Sequence, residues 1–439
     1  MLDAAPESLA IYVVRRLRER GRQAYLVGGC VRDRLLGIRP KDFDIGTDAR
    51  PEEVMSYFPR SQLVGAHFGV VLVRGENGRQ VEVATFRSEG LYSGGRRPDE
   101  VRFESDPALD AQRRDFTING LMEDPLSGEI IDFVGGKADL QAKIIRAIGD
   151  ARKRFKEDYL RILRGVRFAA RLGFVIEPAT LAAIQEYAPC VSRISAERIR
   201  DEVVGIMTSG APRRGLELLD MSGLLIHILP EIKAFQGVEQ PPEFHPEGDV
   251  WVHVSLMLEQ MHQPSTTLAL GVLLHDVGKP STFRIAERIR FDGHAEVGAA
   301  MAKQLLSRLR FPTEDIEQIT ALVANHMKFK DVKQMRLSTL KRFLRLARFP
   351  EHLELHRLDC LASHGHMDAY NFVRAKLAEL SEEEMRPPRL VTGDDLLREG
   401  YKPGRRLGSA LAAIETAQLE GEIVTREQAL ARARSLMDQ

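Results

Sequence analysis

Apolar positions follow two different rhythms along this chain. Through about the first 150 residues they come as short strand-like runs punctuated by glycine and proline. Tyr25-Leu26-Val27 runs into Gly28-Gly29, and Gly69 to Val73 and Gln80 to Phe86 are both rich in valine. Before them, Ile11, Val13 and Val14 alternate with Arg15, Arg16, Arg18 and Arg20 in an amphipathic helical pattern, which is not a signal-peptide layout. Beyond about residue 150 the strand signals fade. Helical periodicity then continues to the end, interrupted at Pro230, Pro241-Pro242, Pro264, Pro312, Pro387-Pro388 and Pro403. The 439 residues exceed what one hydrophobic core supports. The pattern predicts an α+β multidomain protein: a small mixed-sheet head over 1–150, a helical neck over 151–215, a helical body over 216–385 and a helical tail over 386–439.

Composition changes this picture little. Hydrophobic residues at 44% and charged residues at 29% are ordinary for a soluble globular protein. No stretch approaches the roughly 18 apolar residues that a membrane-spanning helix needs. Cys30, Cys190 and Cys360 lie too far apart to suggest a disulfide framework or a thiolate metal site, and a cytoplasmic protein is expected. With 63 basic and 63 acidic residues, composition alone does not suggest a nucleic-acid partner. Local clusters (Arg152 to Arg171, Lys341 to Arg348, Arg405 with Arg406) can still supply phosphate contacts, although charge runs are usually solvated helix faces.

The richest chemistry lies between Leu26 and Thr47. Gly28 and Gly29 after a strand let backbone approach a phosphate closely, and Arg32 in the following turn is placed to pair with a triphosphate. If Asp42-Phe43-Asp44 is a strand, alternation puts both carboxylates on one face and Phe43 on the buried one. Adjacent carboxylates suit Mg²⁺, and two such ions about 3.5–4 Å apart can activate an attacking hydroxyl and stabilise a leaving pyrophosphate. Glu82 is the candidate third carboxylate. Each piece alone is common; the ordered set is specific.

GGxVRD followed by DxD resembles the class II tRNA nucleotidyltransferase and bacterial poly(A) polymerase family of the polymerase β superfamily. Arg113 to Asn119 resembles the family's ribose-reading motif, and Asp132 to Leu140 its hinge-like turn. Glu157 to Phe168 resembles the base-selecting helix, and Ser195 to Arg198 the last motif. The likeness covers about the first 210 residues. One departure is Gly120, where the family usually carries alanine or serine, so looser local packing with retained activity is expected. The resemblance implies a head in which Asp42, Asp44 and Glu82 are catalytic and two Mg²⁺ are held by Asp42 and Asp44. It implies nucleotide binding by Gly28, Gly29, Arg32, Arg114, Asp115, Asn119, Asp158, Arg161, Arg164 and Arg167. The implied partners are tRNA, CTP and ATP.

The helix expected to begin near Glu157 has Asp158, Arg161 and Arg164 on one face, with Tyr159, Ile162, Leu163 and Val166 as its apolar stripe. On an arbitrary helix this would be a surface ion pair. Cytosine and adenine, however, both present an exocyclic amine beside a ring-nitrogen acceptor. A carboxylate that accepts from the amine and an arginine that donates to the ring nitrogen would select C and A. Uracil and guanine would leave buried polar groups unpaired. In the family, Asp158 and Arg161 have this role, with Arg164 and Arg167 assisting. Thr85 to Phe103 resembles the flexible loop absent from CC-adding relatives, and Val64 to Val70 has the form usual in tRNA enzymes rather than poly(A) polymerases. No residue separates CCA addition from A addition, and the PKDFD wording is shared with poly(A) polymerases.

A second constellation follows: His253, then His275-Asp276 in LLHDVGKP, then His294, His326 and Asp359. It resembles the HD superfamily of metal-dependent phosphohydrolases. The metal ligands would map to His253, His275, Asp276 and Asp359, with His294 and His326 as helpers or second-metal ligands and Lys279 holding a substrate phosphate. Mn²⁺, Ni²⁺ or Mg²⁺ would suit such a site, with an activated water as nucleophile. The expected substrates are 2′,3′-cyclic phosphates or 2′-phosphates at damaged RNA ends. A phosphohydrolase with an inactive RNA-binding head, or a stringent-response-like synthetase–hydrolase, would be alternatives. Intact Asp42, Asp44, Arg114, Asp158 and Arg161 weigh against the first, and the order of the two sites against the second. The 386–439 tail is the expected contact with the tRNA body, Arg405 and Arg406 included. No membrane partner is expected, and monomer and homodimer are both compatible with the sequence.

Overall fold

The protein is described from a computed structural model that covers residues 6–64, 69–75, 78–89 and 101–437. It divides into two compact units, Met1–Lys233 and Ala234–Gln439. In the first, α1 (Pro6–Glu19) buries Ala10, Val13, Val14 and Leu17 against a seven-stranded mixed sheet. The strands are β1 (Ala24–Val27), β2 (Asp44–Thr47), β3 (Ser61–Leu63), β4 (Val70–Arg74), β5 (Gln80–Thr85), β8 (Met122–Glu123) and β9 (Ile130–Ile131), in the order β3-β4-β5-β2-β1-β8-β9. Only the central β2–β5 pairing is parallel. Two short strands, β6 (Arg87–Glu89) and β7 (Val101–Phe103), pair beside it. Helices α2 (Gly29–Leu35), α3 (Pro51–Tyr57), α4 (Pro107–Gln112) and α5 (Gly136–Ala142) fill the connections. The expected strands at Tyr25, Gly69 and Gln80 are therefore present. Residues 65–68 and 90–100, which carry most of the two family-discriminating loops, lie outside the described residues.

Gly120 departs from expectation. A Cβ there would stand 2.6 Å from Val134 Cγ2 and 3.3 Å from Ile148 Cδ1. Packing is not loosened; Val134 occupies the space that a methyl group would take. Val134 belongs to the Asp132 turn, where the Asp132 carboxylate accepts from the amides of Val134, Gly136 and Lys137 at 3.1, 3.0 and 2.9 Å. Gly136 lies so close to Thr117 that a Cβ would be 2.3 Å from its carbonyl oxygen.

A two-residue pair, β10 (Ile144–Ile145) with β11 (Val175–Ile176), leads into helices α6 (Ala151–Glu157), α7 (Leu160–Leu172), α8 (Pro178–Tyr187), α9 (Ala196–Met207), α10 (Pro212–Met221), α11 (Leu225–Ile228) and α12 (Pro230–Lys233). The single helix expected near Glu157 is instead two helices broken at Asp158. That residue is extended (φ −147°, ψ 108°), and its carboxylate accepts from Leu160 N–H at 3.0 Å. The local side-chain bond competes with helix continuation, as short acidic side chains do. Asp158 thus does not share a helix face with Arg161.

In the second unit, α14 (Thr266–Leu274) is apolar from Leu268 onward and buried from Thr267 onward, as a central helix must be. Helices α13 (Val250–Glu259), α16 (His294–Arg308), α17 (Thr313–Asn325) and α19 (Phe349–Ala362) pack near it, joined by α15 (Lys279–Thr282) and a small hairpin, β12 (Arg284–Ile285) with β13 (Ile289–Arg290). A second cluster of α18 (Leu337–Leu344) with α20 (Asp368–Glu379) closes on Phe329, Phe343 and Phe349. After α21 (Glu382–Met385), the tail helices α22 (Gly393–Arg398), α23 (Arg405–Glu420) and α24 (Arg426–Met437) share a separate core of Val391, Leu396, Ile414, Ala417, Ile423, Ala429 and Ala433.

Candidate active site and candidate metal centre

The strand expected over Asp42 to Asp44 begins only at Asp44, so the first site is set by the entry into β2. Asp42 and Asp44 are exposed while Phe43 between them is 5% exposed. Parallel pairing puts Asp44 beside Glu82, and antiparallel pairing puts it beside Val27, the last residue before the glycine turn. Asp44 and Glu82 therefore sit side by side at the mouth of that turn, with Asp42 close enough to act on Asp44 electrostatically. Partial burial, then the neighbouring Glu82 and Asp42 charges, push the Asp44 pKa up to about 6, although Arg114 opposes them. The mutual repulsion of the carboxylates is what a bound cation would relieve, so this donor set fits a divalent ion.

The glycine turn is held by what lies over it. Gly28 has φ +76°, and a Cβ there would be 2.8 Å from Arg114 Nη1. Asp110, which the sequence reading missed, is 2% exposed and takes both neighbouring guanidiniums, Arg113 at 2.6 Å and Arg114 at 3.0 Å. Arg32 is not an open cation. It is 3% exposed, donates to Asn119 Oδ1 at 2.6 Å and to Asp33 at 2.6 and 2.8 Å, and burial lowers its pKa. Asn119 donates in turn to Asp115 at 3.0 Å, and Arg164 reaches the same carboxylate at 2.7 Å. Burial opposes ionisation of Asp115, but Arg164, Asn119 and the Phe116 amide win and hold its pKa at about 2. Arg167 pairs with Glu202 at 2.6 Å. The guanidiniums of Arg32, Arg164 and Arg167 all lie 4.7–5.2 Å from the centre of the buried Phe168 ring. One network thus locks α7 to the glycine turn and to the 113–119 stretch.

Asp158 and Arg161 do not pair with each other here. Asp158 is gripped in a fork by Arg198, at 3.2 and 2.7 Å, with 18% of its side chain exposed. Arg161 is tied to Glu157, to Arg154 O at 2.9 Å and to Arg113 O at 3.2 Å. In the sequence Arg198 stands out only as part of the Ser195 to Arg198 motif; no spacing rule connects it to Asp158, 40 residues earlier.

The second unit brings together every histidine and aspartate expected of its site. Helix α13 supplies His253, the end of α14 supplies His275 and Asp276, α16 begins at His294, α17 ends at His326, and α19 carries Asp359. Their ring nitrogens are directed by what stands behind them: Nδ1 of His275, His294 and His326 donates to the carbonyls of Val272, Phe291 and Val323 at 2.9, 2.9 and 2.7 Å. The Nε2 atoms converge on Asp276. His275 and His253 lie 3.1 and 4.0 Å from its Oδ2, and His294 and His326 each 3.7 Å from its Oδ1. Asp359 lies 3.2 Å from His253. Nε2 of His253 and His275 and Oδ2 of Asp276 are buried without hydrogen-bond partners. Buried, unpartnered imidazole and carboxylate donors fit divalent metal, and two groups of close donor atoms, His253 with His275 and Asp359, and Asp276 with His294 and His326, lie side by side. Lys279 is 6% exposed; its ammonium lies 2.7 Å from Asp276 Oδ2 as an ion pair and donates to Gln240 Oε1 at 2.6 Å, and so braces Asp276. Gly278 follows the dyad for a steric reason: a Cβ there would be 2.1 Å from His294 O.

A carboxylate-bearing mixed sheet joined to a helical neck, followed by a helical unit built around an HD cluster, defines a nucleotidyltransferase with an HD domain. Residues 24–146 match the poly A polymerase head domain, 173–236 the probable RNA- and SrmB-binding site of polymerase A, and 249–349 the HD domain. The chain belongs to the family of CCA-adding enzymes. It is 33% identical to the CCA-adding enzyme of Levilactobacillus brevis over 98% of this chain and 99% of that one. The enzyme of Enterococcus faecalis is 49% identical over 48% of this chain and 50% of that one. The crystal structure of the Bacillus stearothermophilus CCA-adding enzyme in complex with CTP superposes with a TM-score of 0.74 at 27% identity, covering 99% of both chains. No helix among the described residues is long and apolar enough to cross a membrane.

Proposed function

We propose that this protein builds and repairs the 3′-terminal CCA of tRNA in the cytoplasm, taking CTP and ATP as substrates and using no nucleic-acid template. The observation that carries the reading is the register that sets Asp44 beside Glu82, with Asp42 close enough to act on Asp44 electrostatically, next to a glycine turn roofed by Arg114. Asp42, Asp44 and Glu82 would hold two Mg²⁺. Bound there, the ions supply activation of the attacking 3′-hydroxyl and neutralisation of the departing pyrophosphate. Gly28 and Gly29 let the triphosphate approach backbone, Arg114 supplies charge beside it, and Arg32, Asp115 and Asn119 keep the turn in shape. Asp158 accepts from the exocyclic amine of C or A while Arg161 donates to the ring nitrogen. Arg164 and Arg167 hold α7 in place. A carboxylate has about four lone-pair directions, so Asp158 can keep Arg198 and still accept from a base.

The buried imidazole cluster favours a second activity, metal-dependent removal of 2′,3′-cyclic or 2′-phosphates from RNA ends, with Mn²⁺, Ni²⁺ or Mg²⁺ as the ion. This would expose the free 3′-hydroxyl that nucleotide addition requires. The test supplies Mg²⁺, CTP and ATP to transcripts ending before CCA, after C and after CC, and sequences the products. Completion to CCA from all three is expected. Addition to the CC-ended transcript alone would make this an A-adding enzyme, and no incorporation by folded protein would refute the reading. Hydrolysis of 2′,3′-cyclic AMP by the same sample tests the second activity.

A further inference from the structure

The segment between residues 237 and 249 places polar side chains behind the metal centre rather than in solvent. Asp249 pins it at both ends, accepting from Gly237 N at 2.7 Å and from Val252 N in the first turn of α13 at 2.9 Å. Gln240, 4% exposed, receives the Lys279 ammonium. Glu247 has a side chain only 6% exposed, and its Oε1 accepts from Nδ1 of His253 at 2.7 Å and from Nδ1 of His245 at 2.8 Å. Its Oε2 is buried without a partner. An ionised carboxylate with an unpaired buried oxygen is costly, because that oxygen has lost water without gaining a donor. Rings 253 and 245 meet edge-on at 4.9 Å, so the two histidines bracket the carboxylate rather than solvate it.

His253 is the exception among the four imidazoles. The other three rest on backbone carbonyls; His253 alone is backed by a carboxylate. A carboxylate behind a ligating imidazole fixes the tautomer with Nε2 free for metal and makes that nitrogen more basic. We propose that Glu247 is a positioning residue of the HD centre. By holding His253, it makes the site bounded by His253, His275, Asp276 and Asp359 bind its divalent ion more tightly than the site bounded by Asp276, His294 and His326. The inference rests on the metal-centre reading above and adds an asymmetry that the ligand set alone does not contain.

The test uses the full chain carrying Asp42→Ala and Asp44→Ala, which silences the head, titrated with Co²⁺ and followed by visible absorption and bound-metal counting. The expected result is two sequential equivalents. Glu247→Ala weakens the first by about 10- to 100-fold and alters its spectrum. Glu247→Gln, which keeps the shape, has a smaller effect, and Glu247→Asp restores part of the affinity. The second equivalent stays unchanged. A first equivalent with parental affinity and spectrum in all three variants overturns the proposal, and so does a fall in melting temperature with metal binding unaltered, which would make Glu247 merely structural. A parent that binds no Co²⁺ overturns the metal-centre reading itself. Should Glu247→Ala fail to fold, the Gln and Asp variants carry the comparison.

Discussion

Arg198→Ala is the most direct test of how Asp158, the carboxylate proposed to select the base, is held. Asp158 sits in a helix break, so no helix ladder fixes it. Its orientation rests on one local amide, Leu160 N–H, and on the two-pronged grip of Arg198. Hydrogen bonds to charged groups contribute about 1.5–3 kcal/mol when well buried. Here Arg198 and Asp158 keep 28% and 18% of their side-chain surface exposed, and solvent screening reduces the pair to about 1–2 kcal/mol. At 1.4 kcal/mol per factor of ten, kcat/KM for CTP on a transcript ending before CCA should fall about 5- to 30-fold. Selectivity should fall with it. Rejection of UTP depends on a fixed acceptor facing the uracil carbonyl, and a carboxylate free to turn away no longer enforces that clash. Arg198→Lys, which keeps charge but cannot make the fork, should lie between. The assay is single-turnover incorporation of CTP and UTP, with circular dichroism confirming the fold. A folded Arg198→Ala protein with an unchanged ratio of CTP to UTP incorporation refutes the idea that Arg198 positions Asp158.

Three further outcomes follow from the packing and burial described above. Gly120→Ala should destabilise the head by about 1–3 kcal/mol, because Val134 and Ile148 leave no room for the methyl group; urea unfolding measures it, and a neutral result would contradict the packing described. Gly278→Ala drives a Cβ into the His294 carbonyl and should abolish metal binding by the HD cluster while CCA addition survives, as read by metal counting and primer extension. His352 is 1% exposed, neither ring nitrogen has a hydrogen-bond partner, and burial lowers its pKa from 6.5 to about 4. With its folded pKa below the unfolded one, stability is full above pH 6.5 and drains away as pH falls toward 4, by about 3 kcal/mol at 1.36 kcal/mol per unit. His352→Leu should flatten the acid limb of a melting-temperature profile over that window, and an unchanged limb would count against it.

The two sites were legible to different degrees, and for physical reasons. The carboxylate pair could be read because Phe43 is buried between two exposed acids, although the strand expected over 42–44 begins only at Asp44 and its alternation does not reach Asp42. The partner strand's register against Glu82 and the two-residue strands β8 and β9 could not, because pairing is set by the sheet and so short a strand carries no periodicity. The 157–168 stretch was misread as one helix because its apolar spacing is helical throughout. The break comes from Asp158 bonding its own neighbour's amide, a competition that apolar periodicity does not record. At the HD cluster the ligands were legible as residue types in order. Glu247 and Gln240 were not, since a glutamate and a glutamine near a proline-rich turn look like surface residues until folding buries them.

The zero net charge has a structural explanation of the same kind. Each arginine around the candidate active site already has a carboxylate: Arg32 with Asp33, Arg113 and Arg114 with Asp110, Arg161 with Glu157, Arg164 with Asp115, Arg167 with Glu202 and Arg198 with Asp158. Six carboxylates fix these seven arginines, so a site rich in arginine adds almost nothing to the net charge and coexists with a whole-chain count of 63 against 63. Such a site recognises a nucleotide through directed donors and acceptors at short range, where neighbouring dipoles act in a partly dry environment. Long-range attraction of RNA would then fall to exposed residues such as Arg405 and Arg406, whose contribution is screened by salt. Raising the salt concentration should therefore weaken tRNA binding while leaving the choice between CTP and UTP nearly unchanged, and a selectivity that collapses in parallel with binding would show that the two are not separately built.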